Sequence, residues 1–191
     1  DKLTTVELGY KALSLFAIAV YPRPSDLARL SRDKIERLAH GLCYRNFGTK
    51  ELCAVPEFTG QHGLGFAMQE LVCPARALEA YIDRTEDPSM YFHSDSVYPF
   101  EHVFMSQTPA RYGTHKGMHL PVGAQTCSRW MKEVMTRAGI TGYSGGSVRM
   151  AAASAAVDSG VPIDEILRTG RWSSWLVFNK SISSTTVSYT H

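Results

Sequence analysis

The chain has 191 residues, 44% hydrophobic and 20% charged, which suits one globular domain with a sizeable core and excludes wholesale disorder. Twenty basic residues against 18 acidic ones leave a formal charge of +2, so overall charge neither announces nor excludes nucleic acid, and any anion site must be a local cluster. Cys43, Cys53, Cys73 and Cys127 form no CxxC pair and stand among apolar neighbours; this fits buried thiols in a reducing intracellular compartment better than a disulfide framework or a zinc site. The seven histidines show no metal-ligand spacing, and neither metal nor cofactor is expected. The most apolar run, Ala12 to Val20, is too short to span a bilayer and lacks a signal-peptide cleavage pattern. A soluble protein is expected, and a chain that begins directly at a helix suggests a fragment of something longer.

Thr4-Thr-Val-Glu7 fits a capping box. The helix it starts carries Val6, Tyr10, Leu13, Phe16, Ala17 and Val20 at helical spacing. The added Leu15, Ile18 and Ala19 predict burial nearly all round. Tyr21-Pro-Arg23-Pro must break that helix. A short helix follows with Pro24 in its first turn and Asp26 near its positive end, so Arg23 is pinned at the junction.

From Ile35, strand alternation runs through Leu38, His40, Leu42 and Tyr44. It predicts a hairpin with Gly48-Thr-Lys50-Glu at its tip, a return through Leu52 to Phe58, a turn marked by Gly60, Gly63 and Gly65, and a third strand over Phe66 to Val72. Pro74 opens a helix through Ala77, Leu78, Tyr81 and Ile82, ended by Glu86-Asp-Pro-Ser. Residues 88 to 120 predict mostly loop with one buried strand at Val103-Phe-Met105, leaving His93, His102, His115 and His119 exposed and without a role. Gln125 to Ala138 is an amphipathic helix stopped by Gly139. Gly142, Gly145 and Gly146 lead into a helical run from Ser147 to Val157, which a turn joins to a second run ending at Trp172. Trp175 is expected in the core. A polar tail, Lys180 to His191, closes the chain. Mainly helix with a small three-stranded antiparallel sheet is the simplest organisation.

Arg23, Lys50, Arg149 and Tyr189 stand where local structure would hold them. Two guanidinium forks suit bidentate binding of a phosphate, and a helix start beside Arg149 adds amide donors for the same anion. A lysine can protonate a leaving alkoxide, and a tyrosine can attack phosphorus. Such a set would run phosphoryl transfer without a metal. The bland alternatives are a surface or helix-capping Arg23, a solvated Lys50, an Arg149 paired with Asp158 or Asp164, a Trp172 that is only core, and a Tyr189 in a frayed tail.

The wording of these stretches resembles the catalytic domain of the tyrosine recombinase (integrase) family. Tyr21-Pro-Arg23-Pro-Ser-Asp26-Leu-Ala-Arg-Leu30 is similar to its first arginine box, Lys50 sits where the family keeps a hairpin lysine, and Cys73-Pro-Ala-Arg-Ala-Leu-Glu-Ala-Tyr81 is similar to the helix after the sheet. Ser147-Val-Arg149 through Trp172-Ser-Ser is close to the second arginine box and Trp-containing turn of transposon-encoded Crypton and DIRS-type members. The resemblance covers nearly the whole chain. It implies a mainly helical fold with a three-stranded antiparallel sheet, and cleavage of double-stranded DNA through a covalent 3′-phosphotyrosine. Arg23 and Arg149 would clamp the scissile phosphate, Lys50 would be the general acid, Trp172 would donate its indole N–H to a phosphate oxygen, and Tyr189 would be the nucleophile.

Two departures accompany it. Family members carry a histidine three residues before the second arginine, and here Gly146 stands there. Family spacing also places the tyrosine about nine or ten residues beyond Trp172, on the estimate of a short connecting helix, where this chain has Ser181 and Ile182. Tyr189 carries the matching local wording, Ser184-Thr-Thr-Val-Ser-Tyr-Thr-His191, but later. The expectation is a single catalytic domain over residues 1–191 without an amino-terminal DNA-clamping domain. It would come from a mobile element, self-associate on DNA as a synaptic dimer or tetramer, make no membrane contact and be intracellular, nuclear if eukaryotic. The alternative is an impaired or domesticated relative that binds DNA or protein without cutting.

Overall fold

A computed structural model describes residues 3–45, 61–92 and 101–186. Helix α1, Thr5–Val20, begins where the capping box places it: Thr4 Oγ1 accepts from the Glu7 amide at 3.3 Å, and Glu7 Oε2 accepts from the Thr4 amide at 2.8 Å. Its buried face carries Leu8, Ala12, Leu13, Phe16, Ala17 and Val20. Burial is not all round, because Ile18 is 52% exposed. Helix α2, Pro24–Ala28, follows the proline break, and α3, Pro74–Arg84, and α4, Ala124–Arg137, pack with them around one core. Aromatic edges knit that core, with Tyr10 T-shaped against Trp130 at 5.5 Å and Tyr81 stacked on Phe104 at 5.7 Å.

Among the described residues the sheet has three antiparallel strands in the order β1-β2-β3, as expected, but its strands fall elsewhere. The run read as one strand from Ile35 is two, β1 at Ile35–Leu38 and β2 at Gly41–Arg45, folded about a turn at Ala39-His40. The glycine-marked stretch expected to turn is β3, Gln61–Gly65. Leu42 faces Leu64 and Tyr44 faces His62 across the β2–β3 ladder, all four buried. Alternation continues through a tight turn without a break in pattern, which is why the sequence conceals it. Phe66 to Val72 is not a strand: it bends into a short 3₁₀ turn at Glu70–Val72 that leaves Met68 and Leu71 in solvent. The expected return strand over 52 to 58 lies outside the described residues.

Val103, Phe104 and Met105 are buried as expected but make only isolated bridges, Met105 to Pro121 and neighbouring His102 to Ser31. They are held instead by the Val103 amide donating to the Leu30 carbonyl at 2.9 Å, the Phe104 carbonyl accepting from the Val122 amide at 3.0 Å, and the Met105 amide donating to the Tyr81 hydroxyl at 3.2 Å. His102, His115 and His119 are half-buried rather than exposed; His119 stacks on Tyr91 at 4.8 Å. His93 lies outside the described residues.

The last third forms a second cluster. Helices α5, Ser147–Asp158, α6, Ile163–Gly170, and α7, Trp175–Thr186, bury Ala153, Ile166, Trp172 and Phe178 together. Two expectations fail here. The segment read as a polar tail from Lys180 continues α7 to Thr186, and Trp175 is 44% exposed rather than core. Trp175 opens α7 on its outer side, while Phe178, one turn on, takes the inner place against Trp172 at 4.8 Å. No helix among the described residues is long and apolar enough to cross a membrane.

Candidate active site

Two helix ends build the site. Helix α1 stops at Tyr21 (φ 49°) and α6 stops at Arg171 (φ 57°), the two non-glycine residues in the left-handed region among those described. A helix stopped this way leaves carbonyls facing out of its negative end. Both sets meet one cation: Arg149, in the first turn of α5, donates through Nη1 to the Tyr21 carbonyl at 2.9 Å and through Nη2 to the Gly170 carbonyl at 2.6 Å. Its guanidinium also lies over the Trp172 ring, 3.9 Å from the centroid. Arg149 is only 8% exposed. These carbonyls and the indole hold it, rather than Asp158 or Asp164.

Gly170 makes the arrangement possible. A Cβ there would fall 1.8 Å from a Trp172 ring carbon, so the indole can fold back beneath Arg149 only over a residue without a side chain. Gly170→Ala is therefore expected to displace Trp172 and lower stability by about 1–3 kcal/mol, the usual range for overpacking. Thermal unfolding checks it, and an unchanged midpoint would mean the ring has somewhere else to go.

Arg23 is the N-cap of α2, half-buried, and its amide donates to Asp26 Oδ2 at 2.9 Å. It lies two residues beyond the Tyr21 carbonyl that Arg149 grips, so the structure brings the Arg23 turn, Arg149 and Trp172 together. Lys50, in the segment joining β2 to β3, and Tyr189 lie outside the described residues. The position of the missing histidine is open: Gly146, the N-cap of α5, has φ −69°, and a Cβ there would meet only Ser144 Oγ at 3.6 Å.

Beside the start of α5 runs a cleft of ≈ 670 Å³, lined by Ser128, Arg129 and Lys132 of α4 and by Tyr143 and Ser144 of the approaching loop. The loop lies so close to α4 that a Cβ on Gly145 would fall 2.2 Å from the Ser128 carbonyl oxygen. Arg129 and Lys132 are exposed, giving the cleft a local positive lining that the overall charge of +2 does not reveal.

No protein-family model and no curated protein sequence matches this chain. Solved structures do. XerH site-specific recombinase bound to palindromic difH substrate, in a post-cleavage complex, superposes with a TM-score of 0.60 at 9% identity over 97% of this chain. XerA recombinase gives 0.56 at 14% identity over 99%, and a lambda integrase dimer bound to a COC′ core site gives 0.52 at 9% over 98%. The fold is that of a tyrosine recombinase catalytic domain. This chain spans 46%, 64% and 55% of the lengths of those three, less than two thirds of each.

Sequence reasoning missed one pair in this recombinase fold. Arg171 Nη2 lies 2.6 Å from Asp26 Oδ2, with both side chains buried. The partners are 145 residues apart, and no local pattern announces such a contact. The available signal was the arginine immediately before Trp172, at a helix end where glycine is the common choice.

Proposed function

We propose that this chain is a tyrosine recombinase domain that cleaves and rejoins duplex DNA. In this reading the Tyr189 hydroxyl gives its proton to solvent water and attacks the scissile phosphorus, forming a 3′-phosphotyrosine. The bond to the 5′ oxygen breaks, and that oxygen takes a proton from Lys50. A 5′ hydroxyl from a second strand then attacks the phosphotyrosine, returning its proton to Lys50, and Tyr189 leaves and takes a proton back from solvent, so no net bond energy is lost and no metal or cofactor takes part. Arg23 and Arg149 hold the phosphate and offset its growing charge, and Trp172 donates its indole N–H to a phosphate oxygen. The chain would work as a self-associating synaptic complex in the integration of a mobile element of Crypton or DIRS type, within the cell and in the nucleus of a eukaryotic host.

The observation that supports this reading best is the guanidinium of Arg149, set between the carboxyl-terminal ends of α1 and α6, stacked on Trp172 and next to the Arg23 turn. Holding a cation this firmly costs desolvation, which suits a fixed anion receptor better than a surface charge. The cleft lined by Arg129 and Lys132 would carry the flanking DNA backbone. Arg129→Ala with Lys132→Ala is expected to weaken DNA binding and reduce the slope of log affinity against log salt by about 2, roughly 0.9 per lost phosphate contact.

A suicide substrate nicked near the cleavage point tests the chemistry, because the released fragment diffuses away and traps the covalent complex. A protein–DNA adduct that Tyr189→Phe abolishes is the expected result. DNA binding without an adduct would instead favour a second reading, a domain that binds and does not cut. Gly146 supplies the observation in its favour, since it puts no side chain where the family has histidine. Absence of both binding and adduct at low salt would sink both.

A further inference from the structure

We infer that Arg171 is a positioning residue for the phosphate site, tying the turn that carries Trp172 to the turn that carries Arg23 through its ion pair with Asp26. Its functional meaning rests on the recombinase reading above; the tie itself rests on geometry.

Three features that each cost stability converge on this one residue. The first is backbone strain, because Arg171 sits at φ 57° where glycine would be at ease. The second is a buried ion pair, 2.6 Å long with side-chain exposures of 2% and 7%. Burying two opposite charges strips both of water, and well-packed apolar residues commonly do as well or better. The surface pair Arg137–Glu133, by contrast, is 58% and 44% exposed. The third is unmet bonding: among the described residues, Arg171 Nε and Nη1 are buried without a hydrogen-bond partner, as is Nε2 of His62. Tyr44 on β2 and His62 on β3 lie within electrostatic reach of the guanidinium without bonding it.

A residue chosen for stability alone would not combine these. What it gains among the described residues is one bond, to Asp26 Oδ2, and that same oxygen accepts the Arg23 amide at 2.9 Å. One carboxylate oxygen therefore joins the backbone of Arg23 to the side chain of Arg171. The reversal at Arg171 returns the next residue, Trp172, over Gly170 to lie against Arg149. The two turns thereby form a closed ring through Asp26 on one side and through Arg149, bonded to Tyr21 and Gly170, on the other. Arg149 orients the ring from within, and Arg171 fixes its register.

The test separates this from a merely structural role. In Asp26→Asn with Arg171→Gly, glycine relieves the left-handed backbone and asparagine still accepts from the Arg23 amide, so the fold is kept while the ion pair is lost. Two readouts are taken: the indole N–H resonance of Trp172, assigned by comparison with Trp172→Phe, and single-turnover cleavage of the nicked DNA. The double variant is expected to unfold near the wild-type temperature, to show a displaced and broadened Trp172 resonance, and to cleave about 100-fold more slowly, the usual effect of an ångström of misplacement. DNA affinity should change by less than about 3-fold, because flanking phosphate contacts dominate it. Arg171→Lys keeps a charge opposite Asp26 and is expected to restore the resonance and most of the rate. A folded double variant with a wild-type Trp172 resonance and rate overturns the inference, as does a folded lysine variant with that resonance displaced, which carries the test alone if the double variant does not fold. If the wild type itself makes no adduct, the recombinase reading fails while the Trp172 resonance still decides whether Arg171 holds the turn.

Discussion

Arg149→Ala is expected to lower the unfolding midpoint by roughly 10 °C and to reduce adduct formation at least 100-fold. The Gly170 carbonyl that accepts from Nη2 is enclosed, and the Tyr21 carbonyl that accepts from Nη1 is half-enclosed. A buried acceptor left unpaired costs about 1–3 kcal/mol; water can reach the Tyr21 side more easily than the Gly170 side. Loss of the stack on Trp172 adds about 1 kcal/mol. A total near 3 kcal/mol moves the midpoint of a 191-residue domain by about 2–4 °C for each kcal/mol. On the proposed recombinase reading the catalytic loss has a separate origin, since removing one preorganised donor from a developing charge costs about 10²–10³ in rate. Arg149→Lys keeps the charge, but a single ammonium cannot reach both carbonyls and lie flat on the indole. It is expected to recover less than half the stability and little of the rate. A lysine variant with wild-type melting and wild-type adduct would show that neither the fork nor the stack matters. Circular dichroism melts and the nicked-substrate assay read the two effects independently.

The parts of this arrangement that were legible in the sequence are those with local causes. Thr4 and Glu7 announce the start of α1 because both halves of a capping box lie within one turn. Pro22 and Pro24 announce the break that places Arg23, because proline removes a donor and restricts the residue before it. The three-stranded sheet was legible as a sheet, since period-2 alternation survives, but its turns were not. Ala39-His40 breaks no pattern, while Gly63 and Gly65, which look like turn residues, are tolerated in β3. Trp175 misled because an apolar residue opening an amphipathic helix has no sequence mark of which side it will face until Phe178 claims the inner one. For the site, the sequence could nominate Arg23, Arg149 and Trp172 but not the means of holding them. Those means are long-range: Arg149 reaches back 128 residues to the Tyr21 carbonyl, and Arg171 reaches back 145 to Asp26. Contacts of that span are made by the packing of α5 against α1 and of α6 against α5, which no local window contains.

Gly146→His is expected to increase the rate of adduct formation about 100-fold without loss of stability. The site tolerates a side chain on two counts: φ of −69° is ordinary for an L-residue, and the built Cβ meets nothing nearer than Ser144 Oγ at 3.6 Å. Replacing glycine where the backbone is already compatible narrows the unfolded ensemble and contributes about 0.4–1 kcal/mol, which offsets the loss of a favourable N-cap glycine. A histidine here would stand at the positive end of α5, three residues before Arg149. Helix end and arginine both disfavour imidazolium, so the ring stays neutral and able to accept the proton of an attacking tyrosine. A positioned base contributes about 10²–10⁴, and the low end is the fair expectation for a group added without its own supporting bonds. Two controls isolate the imidazole. Gly146→Ala should match the stability and leave the rate alone, while Gly145→His should fail to fold, because its Cβ would lie 2.2 Å from the Ser128 carbonyl oxygen. The gained rate should fall as pH drops through the imidazole's own titration, since protonation removes the base, and a gain that is flat in pH would assign it to something other than proton transfer. No gain at any pH, in a variant that folds and binds DNA, would mean that the start of α5 does not face the scissile phosphate, and the assignment of Arg149 to that phosphate would fall with it.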